Sequence, residues 1–417
     1  MPNNVNVNGA LAELERACPT GARKAGPEDV VDGVAADLVA FPRDTGEVAA
    51  ALRVAQDHDV TVVAKGAGTK LNWGCAPRSA SLLLDLSLMD EVVEHVSDDL
   101  VARVKAGTTL AHLSLVLAKE GQRFPVDEVV PGSTIGGVVS TGLSGPSRYL
   151  HGAVRDLVLG MTVVRADGVV ARAGSKVVKN VAGYDLAKLF TGSYGTLGIL
   201  TELVLKLKPL PGSERFVVAS YPDAGEMAAV LPALLASQSA PTAIELDRDH
   251  LDGPIRLAVL VEGRPRPVEQ RAAEIAGVLG TSDVLTDPPA GWGRLPGQVT
   301  LKLTCVLSGV PTVVGRASAL ARELGVAASI AGSAGSGVLY MGLEGEVGAE
   351  LCTALLGGLR GICGSFGGHV ILLRAPAAFK SCLDVWGPVP GIEMMRRVKE
   401  RFDPEHRLAP GRFAGGI

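Results

Sequence analysis

Three glycine-rich loops, each beside a strand-like run, constrain this chain more than any other feature. The first is Lys65–Lys70, directly after the apolar run Val60–Ala64, and the others are Pro131–Gly137 and Gly192–Thr201. Glycine has no Cβ, so the backbone N–H groups of such loops can approach a phosphate or a flat ring closely. Three loops of this kind predict a large ligand that the main chain holds at several points.

Each loop by itself also fits a simpler interpretation. The residues of Lys65–Lys70 match neither a GxGxxG helix opening nor a GxxxxGK[ST] loop, so the two common nucleotide-binding fingerprints are absent there. An ordinary tight turn after a buried strand would need the same glycines, and the glycines of 132–137 and 142–145 could equally serve turns. The three loops taken jointly favour binding, with Lys65 and Lys70 adding positive charge.

A turn with the sequence Lys179-Asn-Val-Ala-Gly-Tyr-Asp-Leu186 precedes the third loop. Asp185 is expected to cap the helix that follows it, in preference to a catalytic role. Tyr184 is expected to pack near the ligand pocket without taking part in chemistry.

Composition restricts the class of protein. A chain of 417 residues with a formal charge of −4 and no basic block is long enough for two or three domains and unsuited to binding nucleic acid. The N-terminus lacks the pattern of a signal peptide, and no apolar stretch is long enough to span a membrane. The six cysteines include no CxxC pair, so we expect neither a disulfide framework nor an iron–sulfur cluster, and a cytoplasmic location.

Local patterns predict the organisation of the chain. Thr45 is expected to be the N-cap of one amphipathic helix and Thr108 to start another, and Asp167-Gly168 is expected to turn a β-hairpin. Pro209–Pro211 is the first predicted domain boundary. Beyond it, strand-like and helix-like runs alternate up to about Cys382, which predicts an antiparallel sheet backed by helices.

The motifs in this order resemble those of flavin-binding oxidoreductases of the vanillyl-alcohol oxidase type, which share a PCMH-type FAD-binding domain. The motifs are Gly66–Thr69, Gly132–Gly137, Val154–Asp156, Lys179–Leu186 and Gly192–Glu202. Within that superfamily the chain is most similar to the smaller FAD-binding subunits of bacterial glycolate oxidases, which are relatives of D-lactate dehydrogenases. The resemblance is strong over about residues 30–211 and moderate over Asp403–Phe413.

The resemblance implies an α+β fold: a two-part FAD-binding domain, an α+β cap or substrate domain with an antiparallel sheet, and a C-terminal tail that returns to the FAD-binding domain. The implied limits are 1–29 for an N-terminal lead-in, 30–211 for the FAD-binding domain, 212–385 for the cap, and 386–417 for the final helix and tail.

The resemblance also implies the residues that bind FAD. The phosphate loop is Lys65, Gly66, Ala67, Gly68, Thr69 and Lys70. The flavin and ribityl residues are Pro131, Gly132, Thr134, Gly136, Gly137, Thr141, Gly142 and Ser144. The residues that bind the adenosine half are Gly195, Thr196, Gly198 and Ile199, and Arg412 closes on the flavin ring.

Two departures from the family pattern matter. Members with covalently attached flavin place a histidine in the first loop, where this chain has Gly66–Thr69, so non-covalent FAD is expected. Related 2-hydroxy-acid dehydrogenases carry a C-terminal histidine-glycine-aspartate motif, and this chain has only the isolated His369, for which a structural role is expected. Ala409 stands where relatives often have asparagine before Pro-Gly, which removes a side-chain hydrogen bond from the tail.

The chemistry implied by the family is the oxidation of a CH–OH group, with FAD accepting the electrons. A substrate with a carboxylate needs a cation to bind it, for which Arg148 and Arg374 are the candidates, and no residue is assigned as the catalytic base.

The leading hypothesis is an FAD-dependent subunit of a glycolate-oxidase-like complex that oxidises glycolate or D-lactate, or relays the electrons. Its partners would be a second flavin subunit and an iron–sulfur subunit, through which it would reach the inner face of the membrane. The alternatives are a self-sufficient oxidase of another alcohol or sugar, and a non-catalytic assembly subunit.

Overall fold

The computed structural model describes residues 7–175, 185–345 and 347–417. The chain divides into two compact units. The first comprises Met1–Leu143, Ala153–Leu210 and Pro388–Ile417, and the second comprises Ser144–Gly152 and Pro211–Gly387. The domain limits derived above from the sequence stay predictions.

Helices occur in both units. In chain order they are α1 (Val7–Ala17), α2 (Thr45–Asp57), α3 (Leu110–Ala118), α4 (Ile135–Thr141), α5 (Arg148–His151), α6 (Val154–Leu157), α7 (Leu186–Phe190), α8 (Ala224–Leu235), α9 (Pro265–Leu279), α10 (Val310–Glu323), α11 (Ala349–Gly364), α12 (Ala377–Lys380) and α13 (Ile392–Phe402). Two short 3-10 helices cover Leu307–Gly309 and Ala414–Gly416.

The strands of the first unit are β1 (Ala22–Lys24), β2 (Val30–Val31), β3 (Val34–Ala35), β4 (Leu38–Ala40), β5 (Val62–Lys65), β6 (Leu82–Asp85), β7 (Val92–Val96), β8 (Val101–Lys105), β9 (Gln122–Arg123), β10 (Val158–Val164), β11 (Val170–Gly174), β12 (Ile199–Lys206) and β13 (Lys208–Pro209). Those of the second unit are β14 (Ser213–Tyr221), β15 (Ala243–Arg248), β16 (Ile255–Gly263), β17 (Ser282–Leu285), β18 (Val299–Thr304), β19 (Ala328–Ser333), β20 (Val338–Leu343) and β21 (Val370–Arg374).

The first unit contains two main sheets. One has the order β1-β4-β6-β5, in which β4 and β5 both pair with β6 in parallel. Every residue of β6 is buried, as expected for a strand covered on both faces. The other sheet has the order β11-β10-β12-β8-β7 and is antiparallel throughout. The first glycine loop therefore leaves the end of β5, and the third glycine loop leads into β12.

Two helix starts differ by one residue from the sequence-based expectation. Helix α2 is capped by Asp44, whose carboxylate accepts a hydrogen bond from the Glu47 N–H, so Thr45 is already inside the helix. Helix α3 is capped by Thr109, because its hydroxyl accepts from His112 N–H. In each case the side chain that reaches the free N–H three residues on determines the cap.

The predicted hairpin is confirmed. Strands β10 and β11 pair antiparallel from Gly160 opposite Gly174 to Val164 opposite Val170, around the turn that contains Asp167. Gly168 adopts the left-handed conformation, with φ of 72°, that such a turn requires.

The C-terminal tail returns to the first unit, as predicted. Leu408 forms a parallel bridge with Val62 of β5. Two backbone hydrogen bonds flank this bridge, from Val62 N–H to the Arg407 carbonyl and from Ala409 N–H to the Val62 carbonyl, both 2.8 Å. The tail thereby extends the parallel sheet next to the first glycine loop.

The second unit is built on one antiparallel sheet with the order β17-β14-β16-β15-β19-β20-β18-β21. Its helices α9 and α11 pack on this sheet, with α8 and α10 beside them. Neighbouring residues of a strand point to opposite faces, so Leu301 and Leu303 lie on one face while Lys302 lies on the other, in register with Tyr340. The predicted antiparallel sheet backed by helices, and with it the α+β class, is confirmed.

Candidate functional site

A cavity that is open to solvent lies in the first unit, where the glycine loops and the tail converge. The predicted residues that line it are Lys65, Gly66, Ala67, Gly68, Thr69, Lys70, Thr134, Gly136, Gly137, Thr141, Gly195, Gly198, Ile199 and Arg412.

The first loop has its shape because two glycines allow it. A Cβ on Gly66 would lie 2.4 Å from Thr134 Oγ1, so only glycine lets this loop approach the start of α4. Gly68 has φ of 76°, a conformation that side chains with a Cβ rarely adopt. These two positions bring the backbone of the loop to the cavity wall.

The two lysines of this loop differ in their electrostatic surroundings. Lys65 forms an ion pair with the buried carboxylate of Asp85 at 2.8 Å, so its charge is compensated within the chain. Lys70 is only 7% exposed, and its ammonium donates to Ser133 Oγ at 2.6 Å and to Thr69 Oγ1 at 2.9 Å. Burial lowers the pKa of Lys70 to about 8, with a small opposing effect from Glu128.

The tail contributes a second buried cation. Arg412 is 4% exposed, and its Nη2 donates to the carbonyls of Leu71 and Trp73 at 2.7 and 2.9 Å. Its Nε has no hydrogen-bond partner in the part of the chain that the structure describes. Burial lowers the pKa of the guanidinium, since nearby Tyr194 and Asp32 offset only part of the cost of desolvation.

The third loop reaches the cavity through Gly195, Gly198 and Ile199. It is tied to α4 by the Tyr194 N–H, which donates to the Ser140 carbonyl at 2.8 Å. Tyr194 has φ of 57°, and its ring lies 5.9 Å from that of Phe413 in the tail. Loop, helix and tail are thus joined around the cavity.

Five predicted residues do not line the cavity: Pro131, Gly132, Gly142, Ser144 and Thr196. Pro131 and Gly132 are exposed, and Gly142 ends α4 in the left-handed conformation. Thr196 is buried, with its hydroxyl bonded to the Ser193 carbonyl. Ser144 belongs to the second unit. Their roles in binding stay predictions.

Seven lining residues went unrecognised in the sequence: Ala64, Leu71, Leu86, Ala106, Ser140, Tyr194 and Leu200. Ser140 and Tyr194 adjoin recognised motifs, so their positions alone could have identified them. Leu86 and Ala106 follow β6 and β8, and nothing in the local sequence distinguishes them from core residues.

Asp185 and His369, which were also singled out in the sequence, are not among the residues that line the cavity. Lys179–Tyr184 lies outside the described residues. Asp185 occupies the N-cap position of α7, but its carboxylate forms an exposed ion pair with Lys188 at 3.0 Å and no capping bond. His369 is exposed at the start of β21, where its backbone pairs with Thr304.

The two candidate arginines for a carboxylate differ sharply. Arg374 donates from Nε to Thr300 Oγ1 at 3.0 Å and from Nη2 to the Gly297 carbonyl, so it holds the segment before β18. Arg148 is half-buried, and in the described residues its guanidinium has no hydrogen bond or ion pair. Within the described residues, Arg148 therefore has all its donors available for a ligand, whereas Arg374 uses Nε and Nη2 inside the chain.

Lys302 and Tyr340 carry polar groups next to Arg148 in the second unit. They are cross-strand neighbours on one face of the eight-stranded sheet. Burial, together with the positive charge of Arg148, lowers the pKa of Lys302 to about 8, and burial raises the pKa of Tyr340 to about 12. Within the described ranges, neither the Lys302 ammonium nor the Tyr340 hydroxyl has a hydrogen-bond partner. The buried carboxylate of Glu245 also acts on Tyr340 and adds to the rise of its pKa. This group was not recognised in the sequence, because Lys302 lies in an ordinary strand pattern.

The residues of the first-unit cavity fit FAD. Lys70 and Arg412 are buried cations that form no ion pair with the described residues, and such groups are costly unless a ligand supplies the opposite charge. The dianionic diphosphate of FAD supplies it at the first loop, which carries Lys70. The backbone of the glycine loops offers N–H groups without obstruction by side chains, and Gly66–Thr69 offers no histidine to which a flavin could be attached.

The described residues contain neither a metal-binding cluster nor a membrane-spanning helix. Among the described residues, no group of three or more His, Cys, Asp or Glu side chains could hold a metal ion. Within the same residues, no helix combines the length and the apolar character needed to span a bilayer.

Comparison with known families identifies two segments. Residues 36–174 match the FAD binding domain, and residues 386–413 match the C-terminal domain of FAD linked oxidases. The second match contains the tail that pairs with β5 and carries Arg412.

Individual relatives extend this result. Glycolate oxidase subunit GlcD of Bacillus subtilis is 34% identical over 224 residues, which are 54% of this chain and 47% of that protein. This chain therefore aligns with about half of the length of that relative. A D-lactate dehydrogenase of Archaeoglobus fulgidus is 28% identical over 411 residues, 90% of each chain.

The fold has a counterpart among solved structures. The 4-ethylphenol oxidase from Gulosibacter chungangensis superposes with a TM-score of 0.71 over 99% of this chain and 98% of that one, at 14% identity. At that identity the likeness concerns the fold alone. The two domain matches and the cavity show that this chain is an FAD-linked oxidoreductase with an FAD binding domain.

Proposed function

We propose that the chain is the FAD-binding subunit of an enzyme that oxidises a small 2-hydroxy acid, glycolate or D-lactate. FAD, when bound, accepts the two electrons released from the CH–OH carbon. The observation that carries the proposal is the group formed by Lys302, Tyr340 and Arg148, in which the two cations form no ion pair with the described residues. A sugar or a neutral alcohol brings no charge to match these cations, whereas a carboxylate does.

Each residue of this group has a definable task. The protonated Lys302 ammonium and the Arg148 guanidinium bind the carboxylate, and the Arg148 fork sets its orientation. The Tyr340 hydroxyl, which stays protonated because burial raises its pKa to about 12, donates a hydrogen bond. Their positions on a sheet strand and a helix limit their movement, so the hydroxyl-bearing carbon is held in one place.

In the first unit the cavity would hold FAD non-covalently. The loop Lys65–Lys70 would surround the diphosphate, and the third loop would contact the adenosine half. Residues Thr134–Thr141 of α4 and its cap would lie along the flavin and ribityl portion, and Arg412 would close over the ring. The relatives named as a glycolate oxidase subunit and a D-lactate dehydrogenase support glycolate or D-lactate as the substrate of this chain.

We further propose that the electrons leave through other subunits. The relative from Bacillus subtilis is named as a subunit of glycolate oxidase, which supports an assembly of several chains. A second flavin subunit and an iron–sulfur subunit are the partners we expect, with this chain at the inner face of the membrane only through them.

An anaerobic visible spectrum tests the proposal. The purified chain is loaded with FAD and mixed with glycolate, with D-lactate, and with 1,2-propanediol, which matches lactate in carbon number but has no carboxylate. Bleaching by a 2-hydroxy acid and not by the diol supports the proposal. Bleaching by the diol or by sugars at a similar rate favours another alcohol as substrate. FAD that stays oxidised even after the partner subunits are added would indicate a non-catalytic assembly role and overturn the proposal.

A further inference from the structure

Lys70 is a buried cation that forms no ion pair in the described part of the chain, and Glu128 offsets only a small part of its desolvation. Its ammonium has three donors, and two of them go to neutral oxygens, Ser133 Oγ at 2.6 Å and Thr69 Oγ1 at 2.9 Å. A buried ammonium with only hydroxyl partners retains most of its cost of desolvation. A ligand that brings negative charge to this position would offset the free-energy cost of desolvating the ammonium.

Lys65 provides an internal comparison. It lies on the same loop and lines the same cavity, but Asp85 neutralises it at 2.8 Å. The two lysines therefore have different electrostatic roles although they are five positions apart. Of this pair, only Lys70 offers the cavity an uncompensated charge.

The surroundings of the Lys70 ammonium leave room for a ligand. A Cβ built on Gly137 would lie 3.6 Å from Lys70 Cε and 3.9 Å from Nζ, so the missing side chain leaves space beside the ammonium. Gly137 itself lines the cavity. Ser133 is held by a bond of 2.6 Å to the Val130 carbonyl, so the oxygen that receives Lys70 is itself fixed.

We infer that Lys70, positioned by Ser133 and Thr69, is the side chain that neutralises the diphosphate of bound FAD. It thereby makes the chain bind phosphorylated flavins more tightly than riboflavin. The inference rests on the proposed use of FAD and extends it to one residue. It assigns no such part to Lys65, whose charge is already compensated by Asp85.

The test compares FAD with riboflavin, which has the same ring and ribityl chain but lacks the diphosphate and the adenosine. Binding of each to the FAD-free full chain is followed by quenching of flavin fluorescence. Lys70→Met should weaken FAD binding by about 10- to 100-fold, the range for loss of a hydrogen-bonded charge. Riboflavin binding should change less than about twofold, since no phosphate is present. Lys119→Met, at an exposed position on the end of α3, is the matched control for loss of one charge.

Two results would overturn the inference. One is unchanged FAD affinity in the Lys70→Met variant. The other is an equal loss of FAD and riboflavin, which would mean that Lys70 only holds the loop in shape. If Lys70→Met does not fold by circular dichroism, Lys70→Gln is measured in the same way and decides the question. Because binding is measured without substrate, failure here is distinct from failure of the proposed oxidation, which the wild-type spectrum tests.

Discussion

The ammonium of Lys399 lies 2.6 Å from the carboxylate of Asp403, one helical turn further along, and both side chains are completely buried. The same ammonium donates to the carbonyls of Thr196 at 2.8 Å and Leu408 at 2.9 Å. Asp403 accepts from the N–H groups of Arg407 and Leu408. This pair therefore connects the last helix, the third glycine loop and the tail that carries Arg412.

Replacing Lys399 should destabilise the protein strongly. Lys399→Met leaves the Asp403 carboxylate buried without its cation, and we expect the free energy of unfolding to fall by about 3–5 kcal/mol. Urea unfolding measures the change. Lys188→Met removes an exposed ion pair with Asp185 and should cost less than about 1 kcal/mol. A similar small loss for both variants would contradict a structural role for the buried pair.

Gly66 should tolerate no side chain. In Gly66→Ala the new Cβ would meet Thr134 Oγ1 at 2.4 Å and Cγ2 at 3.0 Å, so loop and helix must separate. We expect a loss of about 1–3 kcal/mol in stability and weaker FAD binding. The matched control is Gly277→Ala on the exposed side of α9, where a Cβ meets nothing within 4 Å. That change should stabilise the protein by about 0.5–1 kcal/mol. Equal effects at the two positions in thermal unfolding would refute the steric argument.

FAD affinity should fall as the pH rises through about 8, the lowered pKa of Lys70. Bound diphosphate favours the protonated lysine, so each further pH unit should weaken binding by up to about tenfold. The other charged groups near this lysine are Glu128, the Lys65–Asp85 pair and Arg412. Flavin fluorescence titrations from pH 6.5 to 9.5 measure the effect, and Lys70→Arg, which stays protonated, should flatten the profile. A profile that is the same in both proteins would assign the pH dependence to another group.

The stability of the FAD-free protein should change in the opposite direction with pH. The unfolded chain keeps the ordinary lysine pKa of 10.5 and binds more protons than the folded chain between about pH 8 and that value. The free energy of unfolding should therefore rise over the lower part of this window. Lys302 has the same lowered pKa and adds to the rise, so a Lys70→Met variant should lose only part of it in urea titrations at pH 7.5 and 9. Above pH 9 the buried thiols of Cys18 and Cys363, whose pKa values burial raises to about 12, change the stability in the opposite direction. No rise in the wild type would contradict both lowered pKa values.

Replacing Arg148 should weaken substrate binding, whereas replacing Arg374 should lower stability. Lys302→Met and Arg148→Met remove donors that have no partner within the described residues, so we expect KM for D-lactate to increase about 10- to 100-fold with little change in stability. Arg374→Met removes the donors that hold Thr300 and the Gly297 carbonyl, so it should lower stability by about 1–3 kcal/mol and leave KM nearly unchanged. Reversed effects of the two arginine variants in flavin-reduction assays and urea unfolding would place the carboxylate at Arg374.

Local sequence was sufficient where the physical requirement is local. Gly68 and Gly168 have positive φ, a constraint that acts on one residue, and both were recognised from turn and loop patterns. The alternation of strand-like and helix-like runs likewise predicted the antiparallel sheet of the second unit. The caps Asp44 and Thr109 were missed by one position, because neighbouring polar residues satisfy the same pattern and only the path of the backbone selects between them.

Residues whose roles depend on distant partners could not be assigned in this way. Thr196 was expected to bind FAD, but its carbonyl accepts from Lys399, 203 positions away, and its side chain does not line the cavity. Lys65 and Lys70 look equivalent in the loop, and Asp85, 20 positions on, makes the difference. Lys302 lies in a strand where its neighbours alternate as expected, and nothing local shows that Arg148 lies nearby.

The sequence by itself determined the α+β class and the positions of the glycine loops, because backbone conformation and periodicity depend on residues close together in the chain. FAD as the cofactor followed from the resemblance of its motifs to a known family. The tertiary structure alone decided which charges are neutralised. It paired Lys65 with Asp85 and Lys399 with Asp403, and left Lys70, Arg412 and Lys302 without an ion pair in the described residues. The interaction between charges depends on their separation in space and on burial, and the fold sets both.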